Sequence, residues 1–340
     1  MKEHVIHLTP CSGFEIGLHS DTLFGAICWG IRTLFGEAKL LSTLEEFSLA
    51  PSFLLSSAFP WKESKQGKKT YFLPKPLLPP LTISDLKGLV DKSKPKETYH
   101  TEKKNLMDVV DKYKKFKKLK WLPEPTFKKV LRGSSEQELF RDYLYKVLTE
   151  PLIANSGVSQ KNSLDRLTQS TTGAGETFYT QDIAYREKYG LFFLLKTANI
   201  DDYLRPVLMF LQDSGIGPNT KTGKNWFTID IEESPLLEET AGNAFITLSR
   251  YCGGEPLDTE ASCYQLASVR SKVESRLEFA GEDVWKDRVT YFTPGSLLKP
   301  LERKVHYGDL VPVKQVADKT VYQYGYAYPV WIGGGGNNGV

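Results

Sequence analysis

The sequence predicts an α+β protein built from two folded units. Strand and helix patterns alternate in the first part of the chain, whereas strand patterns dominate after an acidic linker at about residues 232–239. A length of 340 residues with 40 % hydrophobic and 25 % charged residues suffices for two domains that each bury a core. We therefore predict domains over 1–232 and 243–332, followed by a glycine-rich tail over 333–340.

The N-terminal domain is expected to begin with a strand and a helix. His4–Thr9 has the composition of a strand, and Phe14–Leu18 alternates well enough to extend or follow it. Ser20 or Asp21 can cap the helix that follows. Its apolar stripe recurs at three- and four-residue spacing and consists of Leu23, Phe24, Ile27, Cys28, Ile31, Leu34 and Phe35. Gly25 and Gly30 lie off this stripe, where each costs ~1 kcal/mol relative to Ala unless a neighbour packs closely against it.

A long insertion is expected from about residue 37 to 152. It contains two amphipathic helical patterns, one around Leu106–Phe116 and one around Leu139–Leu148. Between Asp85 and Lys129 there are 14 Lys and 7 acidic residues, whereas the whole chain has a net charge of +3. The basic excess therefore belongs to this segment, either as a solvated lysine face or as a surface that meets phosphates.

The rest of the N-terminal domain completes an alternating order. Polar arms at Gln160–Arg166 and Thr177–Arg186 flank a Ser/Thr/Gly tip, which predicts a projecting β-hairpin over about 155–187. A buried strand, an amphipathic helix and a last strand are then expected, at Leu191–Leu195, Tyr203–Leu211 and Trp226–Ile231. Without the insertion, strand, helix, hairpin, strand, helix and strand follow one another, which is the split βαβ order of a ferredoxin-like domain. In the C-terminal domain, strands are expected at Ala244–Tyr251, Tyr264–Val273, Arg288–Phe292 and Val321–Ile332.

A glycine-rich loop over 213–225 is the most distinctive motif. It places Gly215, Gly217 and Gly223 together with Lys221 and Lys224 between a helix and a strand, a composition suited to an anion. It is not a nucleotide-binding P-loop, because five residues rather than four separate Gly217 from Gly223 and Asn225 stands where Mg²⁺ needs Ser or Thr. Either it contacts a nucleic-acid backbone or it is a structural turn.

Signals for catalysis, metals and membranes are weak. The four cysteines form no CxxC pair, and the acidic residues show no two-metal or glycosidase spacing. The candidates for nucleophilic or acid–base catalysis are Cys11, Cys28, His306 and His19, which lies beside the helix cap. Cys28 falls on the apolar stripe and is expected to be a buried, inert thiol. No apolar run approaches the ~20 residues of a membrane span. We expect a cytoplasmic protein that is not an enzyme and that needs no metal or cofactor.

Several motifs together resemble a known family. They are the start of the first helix, the residues before the hairpin tip, the aromatic pair after it, the glycine loop and the final strand: Ser20–Ala26, Asp165-Arg166, Phe178-Tyr179, Gly215–Lys224 and Tyr324–Val330. In this order they resemble the RAMP superfamily of CRISPR proteins, most closely the fourth subunit of the type III-A Csm complex, and the match runs from end to end.

The resemblance implies a fold and a function. It implies two ferredoxin-like, RRM-like domains, with the hairpin as the β-thumb of the family. It also implies a non-catalytic subunit that grips the repeat-derived 5′ handle of the crRNA in antiviral defence. Its partners would be the large polymerase/cyclase-like signature subunit and the backbone RAMP subunit, which it would bridge.

Combined with the chemistry of the side chains, the resemblance yields a set of candidate RNA-binding residues. Guide RNA is held through its phosphates and splayed bases, which calls for amides, cations and stacking surfaces. Phe178 and Tyr179 either stack on a base or pack within the hairpin. The candidates are His19, Ser20, Asp21, Lys161, Arg166, Phe178, Tyr179, Arg186, Gly215, Gly217, Lys221, Gly223, Lys224 and Asn225.

Two other functions remain open on the sequence alone. Other RAMP proteins are metal-independent endoribonucleases that mature crRNA, in which case His19 would act as an acid or base. Alternatively, the chain is a scaffold that contacts only proteins, and its lysine-rich helix is simply solvated.

Overall fold

The chain folds into two compact units. The computed structural model describes residues 1–14, 17–90, 99–148, 151, 153–162, 164–165, 167–171, 177–217, 220, 223–238, 240–273, 284–316 and 319–333. The first unit comprises Met1–Lys69 and Leu152–Pro235, and the second comprises Thr70–Pro151 and Leu236–Val340. The predicted insertion is therefore divided between the units, and the predicted domain boundaries stay a prediction.

Both units contain helices and strands. Among the helices of the described residues, none combines the length and the apolarity that a membrane span requires. The elements are β1 Lys2–Pro10, α1 Ser20–Phe35, α2 Glu37–Leu49, β2 Phe53–Leu55, β3 Phe59–Glu63, β4 Lys69–Pro74, α3 Ile83–Gly88, α4 Tyr99–Lys117, β5 Trp121–Pro123, α5 Glu124–Leu131, α6 Glu136–Leu144, β6 Ala154–Lys161, β7 Phe178–Tyr185, β8 Tyr189–Thr197, α7 Leu204–Ser214, β9 Phe227–Glu232, β10 Ala244–Thr247, β11 Leu266–Val269, β12 Val289–Phe292, β13 Leu297–Leu298, β14 Leu310–Val316, β15 Lys319–Tyr324 and β16 Pro329–Ile332.

The first unit is built on an antiparallel sheet. Its strands lie in the order β3-β8-β1-β9, and β2 also pairs with β8. The expected buried strand is confirmed, because the side chains of Leu191–Leu195 in β8 are all buried. A nearly continuous apolar run of this kind is typical of a strand covered on both faces. β6 and β7 form a separate two-stranded antiparallel pair.

Helix α1 buries most, but not all, of its predicted stripe. Leu23, Phe24, Ile27 and Ile31 are buried. The prediction is wrong at the end of the stripe, because Leu34 and Phe35 in the last turn are 45 % and 42 % exposed. Cys28 is only partly buried, so the expected fully buried thiol is also a correction. The buried face therefore narrows toward the end of the helix.

The two helix glycines differ in their surroundings. A Cβ atom built on Gly30 would lie 2.6 Å from Val207 Cγ1 of α7, closer than such atoms approach. The expected close packing is therefore confirmed for Gly30, where the missing side chain lets α1 and α7 come together. It is wrong for Gly25, where a Cβ would meet no atom within 4 Å.

The second unit contains helices before residue 151 and strands after residue 236. Helix α4 buries Val109, Tyr113 and Phe116, as its pattern predicts, and its lysines remain exposed. Near the start of α6, Lys75 Nζ lies 3.1 Å from Glu136 Oε1 in an ion pair whose side chains are 8 % and 4 % exposed. Burial lowers the pKa of Lys75 and raises that of Glu136, although their attraction opposes both shifts.

The C-terminal part of the second unit departs from expectation. Between 240 and 333, the described residues form strands and no α-helix, whereas a ferredoxin-like domain has two helices. The strand expected over Val321–Ile332 is two strands, β15 and β16, because Gly325–Tyr328 leaves the extended ladder. Phe245, Tyr251, Leu298, Tyr307 and Ala327 form one buried cluster of this part.

The glycine contrast in α1 gives a stability test. Gly30→Ala adds a methyl group against Val207, and such overpacking costs ~1 to 3 kcal/mol, more than the helix propensity that alanine gains. Gly25→Ala meets open space and should raise the unfolding free energy by up to ~1 kcal/mol. Urea unfolding of both variants checks this. Equal midpoints for the two variants would contradict the close approach at Gly30.

Candidate nucleic-acid interface

Three segments of the first unit meet next to the glycine loop. Phe14 and Ile183 exchange backbone hydrogen bonds, with Phe14 N to Ile183 O at 2.8 Å and Ile183 N to Phe14 O at 2.6 Å. Asn225 N donates to Gly13 O at 3.0 Å, and Trp226 N donates to Ser12 Oγ at 2.9 Å. The residues after β1, strand β7 and the end of the loop are thereby joined. We call residues 11–14, 182–183 and 224–226 the junction.

An ion pair closes the junction. Lys224 Nζ lies 2.5 Å from Asp182 Oδ1, and these side chains are 18 % and 26 % exposed. Ser159 Oγ on β6 donates to the other carboxylate oxygen of Asp182 at 2.7 Å. The hydrogen bonds from Lys224 and then from Ser159 hold the pKa of Asp182 below its ordinary value. Lys224 is therefore not the unpaired phosphate ligand that the sequence suggested, because Asp182 already neutralises it.

The backbone of the loop uses its glycines for turns. Gly215 ends α7 with φ 74°, and Gly217 and Gly223 also have positive φ angles of 98° and 81°. A Cβ on Gly215 would lie 2.7 Å from Thr220 Cγ2, so a side chain there would strike the returning loop. These positions thus have a structural reason to be glycine.

Many loop amides are already used inside the protein. Gly215 N donates to Leu211 O, Ile216 N to Asn225 O, and Gly223 N to Thr220 O. The amide of Asn225 is taken by Gly13 O, and its side chain is fully buried. Fewer amides of the described part of the loop are therefore open than its composition suggests, and RNA binding at Asn225 stays a prediction. Lys221 lies outside the described residues.

The hairpin presents different side chains on its two faces. Lys161 pairs with Phe178 and Ser159 with Thr180, so these residues share the face of Asp182. Tyr179 points to the opposite face, as successive residues of a strand do. Phe178 is 45 % exposed and Tyr179 68 % exposed, so neither ring is packed away within the hairpin. Of the two rings, only that of Phe178 therefore shares a face with the junction ion pair.

The remaining candidates are spread over the first unit. His19 occupies the N-cap position of α1 without a side-chain capping bond, and Asp21 lies in the first turn. Ser20 is fully buried, with its amide bonded to Ser57 Oγ at 3.2 Å, and its role in RNA binding stays a prediction. Arg186 is exposed at the base of the hairpin. Arg166 lies outside the described residues.

The described part of the chain contains no candidate metal centre. Among the described residues, no group of three or more His, Cys, Asp or Glu side chains is placed to hold a metal ion. In β1, burial and then Lys69 lower the pKa of His7 to about 4. The ring of His7 packs edge-on against Trp61, with centroids 6.2 Å apart, so its surroundings are those of a sheet core.

Comparisons with known proteins agree with this architecture. A CRISPR-system protein, Csm4 of Thermococcus onnurineus (strain NA1), is 26 % identical over 331 residues, which cover 96 % of both chains. The resemblance to the fourth Csm subunit is confirmed. No protein-family model matches the chain.

Two solved structures share its fold. A chain of a Csm1–Csm4 cassette in complex with cA4 aligns with a TM-score of 0.60, 20 % identity and 98 % coverage of both chains. A chain of a Csm3–Csm4 subcomplex of the type III-A CRISPR-Cas interference complex aligns with a TM-score of 0.58 and 17 % identity, covering 97 % of this chain and 99 % of that one. The mixed α/β fold with antiparallel sheets is therefore that of Csm4 structures.

The sequence missed the residues that organise the junction. Asp182, Ser159 and Ser12 are ordinary polar residues in polar stretches, and no spacing marks them. Their importance comes from contacts between segments far apart in the chain, such as that between Asp182 and Lys224, which are 42 positions apart. Only the glycine loop and the hairpin were recognisable from local patterns.

Removing the carboxylate should loosen the junction. In Asp182→Ala, Lys224 and Ser159 lose their shared acceptor, so we expect the amides of Ile183 and Asn225 to exchange hydrogen several-fold faster. Hydrogen–deuterium exchange with mass spectrometry measures this. Asp201→Ala removes an exposed pair with Arg205 in the same unit and serves as the matched control. Equal exchange in both variants would show that the ion pair does not hold the junction.

Proposed function

We propose that this chain is the non-catalytic RNA-binding subunit of a type III-A Csm effector complex in antiviral defence. It binds the repeat-derived 5′ handle of the crRNA and works in the cytoplasm. The observation that carries this proposal is the similarity to Csm4 over 96 % of both chains.

The partner subunits follow from the relatives. The similar structures contain Csm4 together with Csm1 in one case and with Csm3 in the other. We infer that this chain contacts a Csm1-like large subunit and a Csm3-like backbone subunit, and thereby bridges them. The similarity covers nearly the whole of each aligned chain, which supports the presence of both contact surfaces.

The first unit has the topology that the RNA-binding role needs. Without α2, β2 and the β6–β7 pair, the elements of this unit follow the order strand, helix, strand, strand, helix, strand, which are β1, α1, β3, β8, α7 and β9. The antiparallel order β3-β8-β1-β9 suits a ferredoxin-like domain. We propose that the β6–β7 hairpin is its thumb, since most of its side chains are exposed.

The guide is held by one face of this hairpin. Phe178 offers a half-exposed ring for stacking, and Lys161 directly opposite offers a cation for phosphate. Lys224 acts through Asp182, which fixes the hairpin beside the glycine loop. Such a site holds a single strand by its backbone and one splayed base, so it requires positioning and no reaction chemistry.

The two aromatic residues separate this proposal from its alternatives. Phe178→Ala should weaken crRNA loading of the co-purified complex by roughly five- to a hundredfold, because stacking contributes ~1 to 3 kcal/mol per base. Tyr179→Ala, on the opposite face, is the matched control and should load normally. Filter binding with repeat RNA in EDTA provides the measurement.

The same assay contains the outcomes that would overturn the proposal. Unchanged loading in Phe178→Ala would remove the hairpin face from the site. Specific cleavage of the RNA in EDTA would favour a crRNA-maturing endoribonuclease with His19 as acid or base. Crosslinking of the assembled complex that finds no RNA attached to this chain would favour a scaffold that contacts only proteins.

A further inference from the structure

An exposed surface with aromatic and cationic side chains lies in the second unit, on the strand pair β11–β12. The inner face of this pair packs into a core, where Val269 contacts the cluster of Val289, Tyr291 and Val313. The pairing continues beyond the strands, with a bridge between Lys272 and Trp285 and a hydrogen bond from Val273 N to Val284 O. The pairing therefore extends beyond β11 and β12, with a register shift of one residue.

The outer face carries an ordered aromatic–cation arrangement. The guanidinium of Arg270 lies 5.3 Å from the centroid of Trp285, and the ammonium of Lys272 lies 4.7 Å from it. Arg270 Nε also donates to Lys286 O at 3.2 Å, which fixes the arginine along the strand. Trp285 is still 42 % exposed. The indole is thus held in place while part of it remains open.

Cations predominate on this face. Ser268 pairs with Thr290 and both are exposed, so Arg288 and Arg270, two residues further along their strands, lie on the same side. Together with Lys272 they give three cations. The register shifts by one residue between the Val269–Val289 pair and the Lys272–Trp285 bridge, and the exposed Asp287 lies in this shifted stretch, where its amide donates to Val313 O at 2.7 Å.

A second aromatic residue lies at the far end of the face. Tyr264 is 41 % exposed and packs edge-on against Phe292, with ring centroids 5.1 Å apart. At ~3.3 Å per residue, the strand between Tyr264 and Lys272 spans roughly 26 Å, a length suited to several nucleotides. Residues 274–283, which carry four acids and one arginine, lie outside the described part, and no role is assigned to them.

We propose that the outer face of β11–β12 binds single-stranded nucleic acid. A base stacks on Trp285, and Arg270, Lys272 and Arg288 pair with the phosphates. Cations interleaved with exposed aromatic rings are the combination that holds single strands without reading their sequence. This surface is separate from the handle site on β6–β7 and does not depend on the function proposed for that site.

Binding of short oligonucleotides to the full chain tests the proposal. Fluorescence anisotropy with an oligouridine of about twelve nucleotides, lacking any repeat sequence, should show Trp285→Ala weakened about tenfold and Trp285→Phe nearly unchanged. The double variant Arg270→Ala with Lys272→Ala should make the fall of log affinity with log salt less steep. The magnitude of the slope should decrease by about 1.4 between about 50 and 200 mM salt. An oligothymidine of equal length distinguishes RNA from DNA as the preferred strand.

Two controls make the result decisive. Lys65→Ala with Lys68→Ala removes two exposed charges from a turn of the first unit and should leave affinity and slope unchanged. Tyr179→Ala, whose ring lies on the hairpin face opposite to the proposed handle site, should also retain oligouridine binding. Wild-type affinity in Trp285→Ala, or an equal loss in the Lys65/Lys68 variant, would overturn the proposal. Binding of a polyglutamate peptide in place of both oligonucleotides would assign the face to an acidic protein segment instead.

Discussion

The ion pair between Lys224 and Asp182 is the contact on which the candidate RNA site depends. The β6–β7 hairpin has few buried side chains of its own, so its position is set by the backbone bonds at Phe14 and by this pair. The pair also joins the glycine loop to the hairpin. A hairpin held in this way can present Phe178 and Lys161 at a defined place, and a strand without such an anchor would sample many positions.

The structure gives the glycine loop a different role from the one that its composition suggests. Its composition suggested an open nest of amides and two phosphate-binding lysines, but its described amides largely serve the turn itself. Gly215 and Gly223 adopt the positive φ angles that the turns require, and Lys224 is neutralised by Asp182. The loop thus supports the hairpin, and the hairpin carries the surface that we propose for RNA.

Local patterns explain what the sequence could predict. The buried strand β8, helices α1 and α7 and the hairpin all carry periodic signals within a few residues, so their positions were recognisable. Asp182, Ser159 and the open face of Trp285 could not be found, because their roles arise from contacts across the fold or from which strand face is solvated. The exposed end of the α1 stripe was missed for the same reason, since periodicity shows a face but not what covers it.

The two proposed surfaces would give each unit its own contact with nucleic acid. Both combine one half-exposed aromatic ring with neighbouring cations on a strand pair, at Phe178 with Lys161 and at Trp285 with Lys272. The two surfaces are held in place by different contacts, since the first depends on the junction and the second on a packed inner face. Affinity at both would fall with salt, because each phosphate contact releases counterions.

Charge reversal at the junction distinguishes a positioning role of Lys224 from a direct contact with RNA. Asp182→Lys and Lys224→Asp each place like charges together, so each single variant should lose crRNA handle affinity in the assembled complex. The double variant restores an ion pair with the opposite polarity. The positioning role predicts that the double variant regains most of the wild-type affinity. An affinity as low as that of Lys224→Asp alone would show that Lys224 contacts the RNA directly, and it would contradict the positioning role.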